Sequence, residues 1–307
     1  MARVLGTSRP DTLLGTVDDD EFNGRESSDL YVIGLDEGND SFADSGTTGW
    51  DVIVAAEDDV VIGLASGFGP QSGIEEISAN GNTGVWITTS DGNDVLDFSG
   101  TVLTGIDKIS GQIGNDTIIG SAGNDDIRGN NNDDRLDGGN GNDLLLGGAG
   151  NDLDPDQDIE HGRDGNDTLL GRAGRDELAG GSDDDRLYGG GAADTLHGGT
   201  GIDLLTGGGG RDTFRFAATT QTGNTVLDFV SGVDVIDLAL IDANTATASV
   251  DDAFSFGGFS APQANSVTVV LRGGNTVLQL EVTGDLVVDM EITLAGTVAL
   301  TGNDFLL

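Results

Sequence analysis

Eleven aspartates keep a nine-residue period through the middle of this 307-residue chain. They are Asp116, Asp125, Asp134, Asp143 and Asp152, then, after a six-residue insertion, Asp167, Asp176, Asp185, Asp194, Asp203 and Asp212. Each stands five residues after a glycine of the same phase: Gly111, Gly120, Gly129, Gly138, Gly147, Gly162, Gly171, Gly180, Gly189, Gly198 and Gly207. Carboxylates presented at a fixed step, beside flexible backbone whose carbonyl oxygens can turn inward, make the donor set of a hard divalent cation. Glycine at the first, second and fourth places of each unit is expected to supply the positive φ of sharp turns. Asn132 and Asp183 at the fourth place tolerate that conformation, and Ala192 does so less well.

The elements that must position these carboxylates follow from the same period. Two residues after the aspartate comes an apolar side chain in ten units of eleven: Ile118, Ile127, Leu136, Leu145, Leu169, Leu178, Leu187, Leu196, Leu205 and Phe214. Asp154, beside Leu153, is the exception. A short strand with one inward side chain fits that pattern, and alternating turns and strands wind a parallel solenoid with cations between neighbouring turns.

The unit Gly138-Gly139-Asn140-Gly141-Asn142-Asp143-Leu144-Leu145-Leu146 resembles the RTX, or haemolysin-type, calcium-binding nonapeptide. That resemblance implies a parallel β-roll holding several calcium ions through the eleven turn aspartates and backbone carbonyls. The candidate carbonyl positions are Gly138, Asn140, Gly147, Gly198, Thr200 and Gly207. The insertion from Leu153 to His161 has alternating acids, but Ile159 and Gly165 stand where an EF-hand loop needs its turn glycine and bidentate glutamate, so it reads as a degenerate repeat.

The same grammar runs more loosely before residue 111, from Gly6 to Asp11, Gly15 to Asp20 and Gly24 to Asp29, and again at Gly38-Asn39-Asp40 and Gly92-Asn93-Asp94. Between them, Val52-Ile53-Val54, Val60-Val61-Ile62 and Val85-Trp86-Ile87 read as strands of longer β-helix coils with little calcium. After Thr213 the repeat gives way to alternation typical of antiparallel strands, as in Val277 to Val282 and Met290 to Leu294, which would cap the open end. The stretch from Phe214 to Asp242 and the ending Leu300-Thr301-Gly302-Asn303-Asp304-Phe305-Leu306-Leu307 resemble the C-terminal domain of serralysin-type secreted proteins. That resemblance implies an uncleaved type I secretion signal. The expected fold is all-β, a parallel β-roll or β-helix solenoid capped by a C-terminal β domain. Its segments are residues 1–110, 111–215 and 216–307.

Thirteen basic against 54 acidic residues leave a net charge of −41, a field that repels nucleic acid and anionic membrane and attracts cations. Cysteine is absent, which excludes disulfide and thiol chemistry, and no stretch is apolar for the length of a membrane span. The N-terminus lacks the apolar run of a Sec signal peptide. Two histidines, His161 and His197, cannot make the three-histidine motif of a zinc protease, and both read as surface residues. Asp44-Ser45-Gly46 has no second copy to form an aspartic dyad. The glycine loops lack the lysine of a phosphate cradle.

The expected function is that of a secreted or cell-surface bacterial protein, non-catalytic and structural, which folds on binding extracellular calcium. Its partners would be calcium and a type I secretion machinery, with a surface or polysaccharide ligand left open. The alternatives are a polysaccharide lyase or epimerase with its site in residues 1–110, and an adhesin or surface-layer subunit. Only Arg3, Arg9, Arg25 and Lys108 supply basic groups to that segment, which argues against the enzyme.

Overall fold

The computed structural model describes residues 3–16, 18–35, 38–43, 49–150, 162–241, 255–258, 266–283 and 285–307. The described regular structure is β-strand apart from two single 3₁₀ turns, Pro70–Ser72 and Gly302–Asp304. The chain divides into two compact units, Met1–Pro155 and Asp156–Leu307.

In the first unit one parallel sheet runs Arg3–Leu5, Glu21–Asn23, Asn39–Phe42, Val61–Leu64, Trp86–Thr88, Ile109–Ser110, Asp126–Asn131, Leu144–Ala149. A second holds Thr12–Leu14, Leu30–Ile33, Val52–Ala55, Glu76–Ser78 and Val102–Thr104, and a third holds Val95–Asp97, Thr117–Ile119 and Arg135–Asp137. Consecutive strands alternate between sheets, so each coil consumes two repeats. Where the nonapeptide is regular, Thr117 faces Arg135 and Asp126 faces Leu144, an advance of 18 residues. Before it, Leu30 pairs with Val52, Val52 with Glu76 and Glu76 with Val102, advancing 22, 24 and 26. These are the longer coils that the β-branched runs predict.

Longer coils enclose more room, and larger side chains fill it. Phe22 stacks on Phe42 at 5.1 Å between centroids, Tyr31 meets both edge-on, and Phe68 packs on Phe98 at 5.5 Å. Offset and edge-on aromatic contacts of this kind add to area burial.

In the second unit Thr168–Ala173, Arg186–Gly191, Leu204–Gly209 and Thr225–Val226 form one parallel face. Arg163–Asp164, Glu177–Ser182, Thr195–Thr200, Thr213–Arg215, Val235–Asp237 and Phe305–Leu306 form the other. The expected antiparallel strands extend the first face: Met290–Leu294 joins Thr225–Val226 in parallel and then pairs antiparallel with Asn275–Glu281, which pairs antiparallel with Ser266–Arg272. They occupy the edge that a bare last coil would expose.

All ten periodic apolar residues are buried, from Ile118, Ile127, Leu187, Leu196, Leu205 and Phe214 at 0% exposure to Leu178 at 7%. Each such burial contributes about 1.5–3 kcal/mol. With a single inward column per face, no neighbouring side chain can refill a hole. Leu205→Ala is therefore expected to cost about 2–5 kcal/mol in calcium buffer, whereas Leu204→Ala, one residue away and only half-buried, should cost less than about 1 kcal/mol. Urea unfolding followed by circular dichroism reads both.

Candidate calcium sites

The turn aspartates use their two carboxylate oxygens differently. One oxygen reaches the backbone of the preceding coil. The Asp116 N–H donates to Asp134 Oδ1 at 2.9 Å, Asp125 to Asp143 at 2.9 Å, Asp167 to Asp185 at 2.8 Å, Asp176 to Asp194 at 2.9 Å, Asp185 to Asp203 at 3.0 Å and Asp194 to Asp212 at 3.0 Å. The carboxylates thus form ladders of step 18, and each Oδ1 clamps one coil onto the next.

In five of the turn aspartates the second oxygen is left over. Oδ2 of Asp116, Asp185, Asp194, Asp203 and Asp212 is buried without a hydrogen-bond partner, in residues at most 2% exposed. An unpartnered buried carboxylate oxygen is costly unless something neutralises it. Each of these oxygens points at the first glycine of its own repeat: Asp185 at Gly180, Asp194 at Gly189, Asp203 at Gly198 and Asp212 at Gly207. The carbonyl of the next coil's first glycine approaches the same point. Gly198 O does so beside Asp185, Gly207 O beside Asp194 (2.7 Å from the position a Gly189 Cβ would take) and Gly129 O beside Asp116.

The result is a series of small cradles, each with one ionised oxygen and one carbonyl oxygen facing space that only a glycine leaves free. Oxygen ligands, negative charge and mixed carboxylate and carbonyl donors fit calcium. Among the described residues no three His, Asp or Glu side chains converge on one point, so the carboxylate of each cradle is joined by backbone carbonyl oxygen as the protein's other donor.

This geometry corrects one expectation. The first-place glycines do not take positive φ; they are glycine because a Cβ there would collide with Asp Oδ2. In every described repeat of the array except the one starting at Gly120, where neither Ser121 nor Gly123 takes it, positive φ falls at the second place, even for Gln112 (75°), Asn130 (82°), Arg163 (69°) and Arg172 (78°), and at the fourth, where Asn132, Asp183 and Ala192 adopt 78°, 76° and 94°.

Of the candidate carbonyl ligands, Gly198 and Gly207 lie on such cradles, whereas the Gly138 carbonyl faces Gly120 beside Asp125, whose Oδ2 accepts from the Ser121 N–H at 2.7 Å and the Ser121 hydroxyl at 2.9 Å. Gly147 is buried within the strand Leu144–Ala149, while Asn140 and Thr200 are exposed at the turn rim. Asp152 and the insertion, with Asp154 and His161, lie outside the described residues, as do Asp44 to Gly46. His197 is not a surface residue: it is 6% exposed, its Nε2 lies 3.0 Å from Gln221 Nε2, and burial followed by the Arg215 charge lowers its pKa.

Two ladder members escape the nine-residue period. Asn224 accepts the Asp203 N–H at 2.7 Å and Asp234 accepts that of Asp212 at 3.1 Å, steps of 21 and 22. Asp228 accepts from Gly207 N and Gly208 N at 2.9 and 2.8 Å. The Asp234-Val235-Ile236 triplet keeps the turn-to-apolar order and so is visible in sequence. Asn224 and Asp228 carry no such sign.

The fold and its cradles define a calcium-binding β-roll protein. Comparison with protein families places the RTX calcium-binding nonapeptide repeat (4 copies) on residues 5–42, 103–136, 119–153, 161–196 and 188–218. The chain therefore carries RTX repeats, and its cofactor is calcium, several ions per chain. No curated protein sequence matches. Among solved structures, the AlgE6R3 subunit of the Azotobacter vinelandii mannuronan C5-epimerase matches at 24% identity, over 62% of this chain and 77% of that one, with a TM-score of 0.27.

Burial raises the carboxyl pKa from the ordinary 3.8 to about 6 in Asp116, Asp194 and Asp203 and to about 8 in Asp185, where the charges of Asp167, Asp203 and Asp183 add to it. Asp125 and Asp212 shift the same way, again chiefly through burial. A folded-state value above the unfolded one means that the metal-free roll binds extra protons. The resulting stability is present below about pH 4 and is lost as the pH rises through about 6 to 8. In chelator, far-UV circular dichroism should accordingly gain β signal as the pH falls from 8 towards 4.

The cradles also predict a steric contrast. Gly198→Ala places a Cβ against Asp203 and should lower calcium affinity at least about tenfold, equivalent to about 1.4 kcal/mol. Gly209→Ala, which meets nothing within 4 Å, should titrate like the parent in calorimetry.

Proposed function

We propose that this chain is a secreted calcium-dependent RTX solenoid with a structural or surface role and no catalysis, folding when it meets extracellular calcium. The observation that carries the reading is the set of buried Oδ2 atoms without partners. In the metal-free chain these oxygens repel one another across successive coils, while a column of single leucines and isoleucines provides too little burial to offset chain entropy. Each calcium adds two positive charges between the coils that repel, so binding and folding are one equilibrium. Extracellular calcium modules bind at about 10⁻⁴ to 10⁻³ M. The chain would stay loose where calcium is scarce and set where it is abundant.

Residues 216–307 would act as a serralysin-like end carrying a type I secretion signal at Asp304 to Leu307. In the folded chain those residues are integrated. The buried Asp304 carboxylate accepts from Thr301 N and Gly232 N, both at 2.6 Å, and from Ser231 Oγ at 3.0 Å, while Phe305–Leu306 pairs with Val235–Asp237. A transporter would read them before folding.

The alternatives are a polysaccharide lyase or epimerase working in residues 1–110 and an adhesin or surface-layer subunit. Against the enzyme, two of the four bases of that segment are engaged: Arg3 bridges Glu21 at 3.2 Å, and the Lys108 ammonium lies 4.2 Å from the Trp86 ring centroid. For the adhesin speak exposed apolar side chains, Leu14, Trp50 and Val102, on or beside one outer sheet.

Circular dichroism of the purified chain, titrated from chelator to about 10 mM calcium, a range that brackets extracellular affinities, should show a cooperative gain of β signal. A folded, calcium-indifferent chain would sink the mechanism. Removing Leu306 and Leu307 while keeping Asp304 should reduce export severalfold in a host with a type I transporter, and undiminished export would refute the signal assignment.

A further inference from the structure

The turn aspartates fall into two groups. At Asp116, Asp185, Asp194, Asp203 and Asp212 the Oδ2 atom is buried and without a partner. The second residue of each of those repeats, Gln112, Gly181, Gly190, Gly199 and Gly208, takes positive φ between 75° and 114°.

At Asp11, Asp20, Asp94 and Asp125 the residue four before the aspartate is Thr7, Thr16, Ser90 or Ser121, and none of these takes positive φ. Their hydroxyls donate to Oδ2 of the aspartate: Thr7 to Asp11 at 2.8 Å, Thr16 to Asp20 at 2.9 Å, Ser90 to Asp94 at 2.9 Å and Ser121 to Asp125 at 2.9 Å. In three of the four the backbone N–H of the same residue donates as well, at 2.5, 2.8 and 2.7 Å. The oxygen that faces the cradle elsewhere is here occupied by donors from its own turn.

The four closed turns share a position. In the unit Met1–Pro155 the described ladders run Asp11 to Asp29 to Asp51, Asp20 to Asp40, Asp94 to Asp116 to Asp134, and Asp125 to Asp143. Each starts at a closed turn.

We propose that a serine or threonine at the second place of a repeat substitutes for calcium, so that the Asp11, Asp20, Asp94 and Asp125 turns stand without an ion and mark the N-terminal boundaries of the calcium array. The physical reason is competition for one oxygen. The hydroxyl, joined at Asp11, Asp20 and Asp125 by the N–H of the same residue, satisfies Oδ2 at no loss of translational freedom, whereas calcium would have to displace these donors before binding. A glycine in left-handed conformation turns its N–H away and has no hydroxyl, which leaves the oxygen for the metal. Ser121 thus decides the fate of a turn, Gly120 to Asp125, that keeps the first glycine, fourth glycine and aspartate of the repeat, and its hydroxyl also accepts the Gly123 N–H at 3.0 Å, with Gly123 outside the positive φ of the other fourth places.

This inference rests on the calcium reading above, and its test separates the two. Bound calcium is counted on the full chain by equilibrium dialysis with atomic emission, with circular dichroism checking the fold. Ser121→Gly should bind one ion more than the parent, and Ser121→Thr, which keeps the hydroxyl, should bind the same number. Ser90→Gly reads the same prediction at Asp94 should Ser121→Gly fail to fold. A folded Ser121→Gly or Ser90→Gly chain with the parent's count would overturn the substitution by hydroxyl. A parent chain that binds no calcium would instead overturn the calcium reading beneath it.

Discussion

The structure depends on a division of labour within one carboxylate. Oδ1 of Asp116, Asp185, Asp194, Asp203 and Asp212 accepts an N–H from the preceding coil and fixes the stacking step; Oδ2 of these aspartates is left buried, facing a glycine. A carboxylate that served only as a hydrogen-bond acceptor would be satisfied by the protein itself, and one that served only as a metal ligand would not set register. Joining both roles in one side chain makes the stacking of the coils and the need for a cation inseparable.

That coupling explains why so little hydrophobic core suffices. A repeat contributes one inward leucine or isoleucine, and the remaining residues are glycines, acids and half-exposed positions. The net charge of −41 would expand such a chain. Cations between coils remove the repulsion where it is greatest. Where the coils lengthen, between Glu21 and Thr104, the balance changes: isoleucines, valines and an aromatic cluster from Phe22 to Phe98 supply ordinary burial. The two regimes follow one another along one winding direction in the unit Met1–Pro155.

The ends of the ladders show how a metal-dependent array can stop. Hydroxyl-bearing residues close its first turns in the unit Met1–Pro155. In the second unit Asn224 brings an amide in place of a carboxylate, and Asp234 turns its second oxygen to the Val230 N–H at 2.7 Å. Each device satisfies the carboxylate or removes it, so no charge is stranded at a boundary.

Much of this was legible in the residues alone. The nine-residue phase of glycine, aspartate and leucine dictates a parallel solenoid, its inward column and an oxygen-donor cation site, because each is a local property repeated until chance is excluded. The ten periodic apolar residues between Ile118 and Phe214 are legible as core in that way. The tertiary structure decided what depends on atoms 18 or more residues apart. It determined which carboxylate oxygen clamps the neighbouring coil, that first-place glycines leave room for that aspartate instead of supplying positive φ, and that His197 is buried against Gln221. It also determined that the Ser121 hydroxyl occupies the Asp125 oxygen whose counterpart in Asp116 is left open. A periodic sequence specifies the frame; the state of each site follows from the turn's dihedral angles and the hydrogen bonds at one carboxylate oxygen, which the period does not encode.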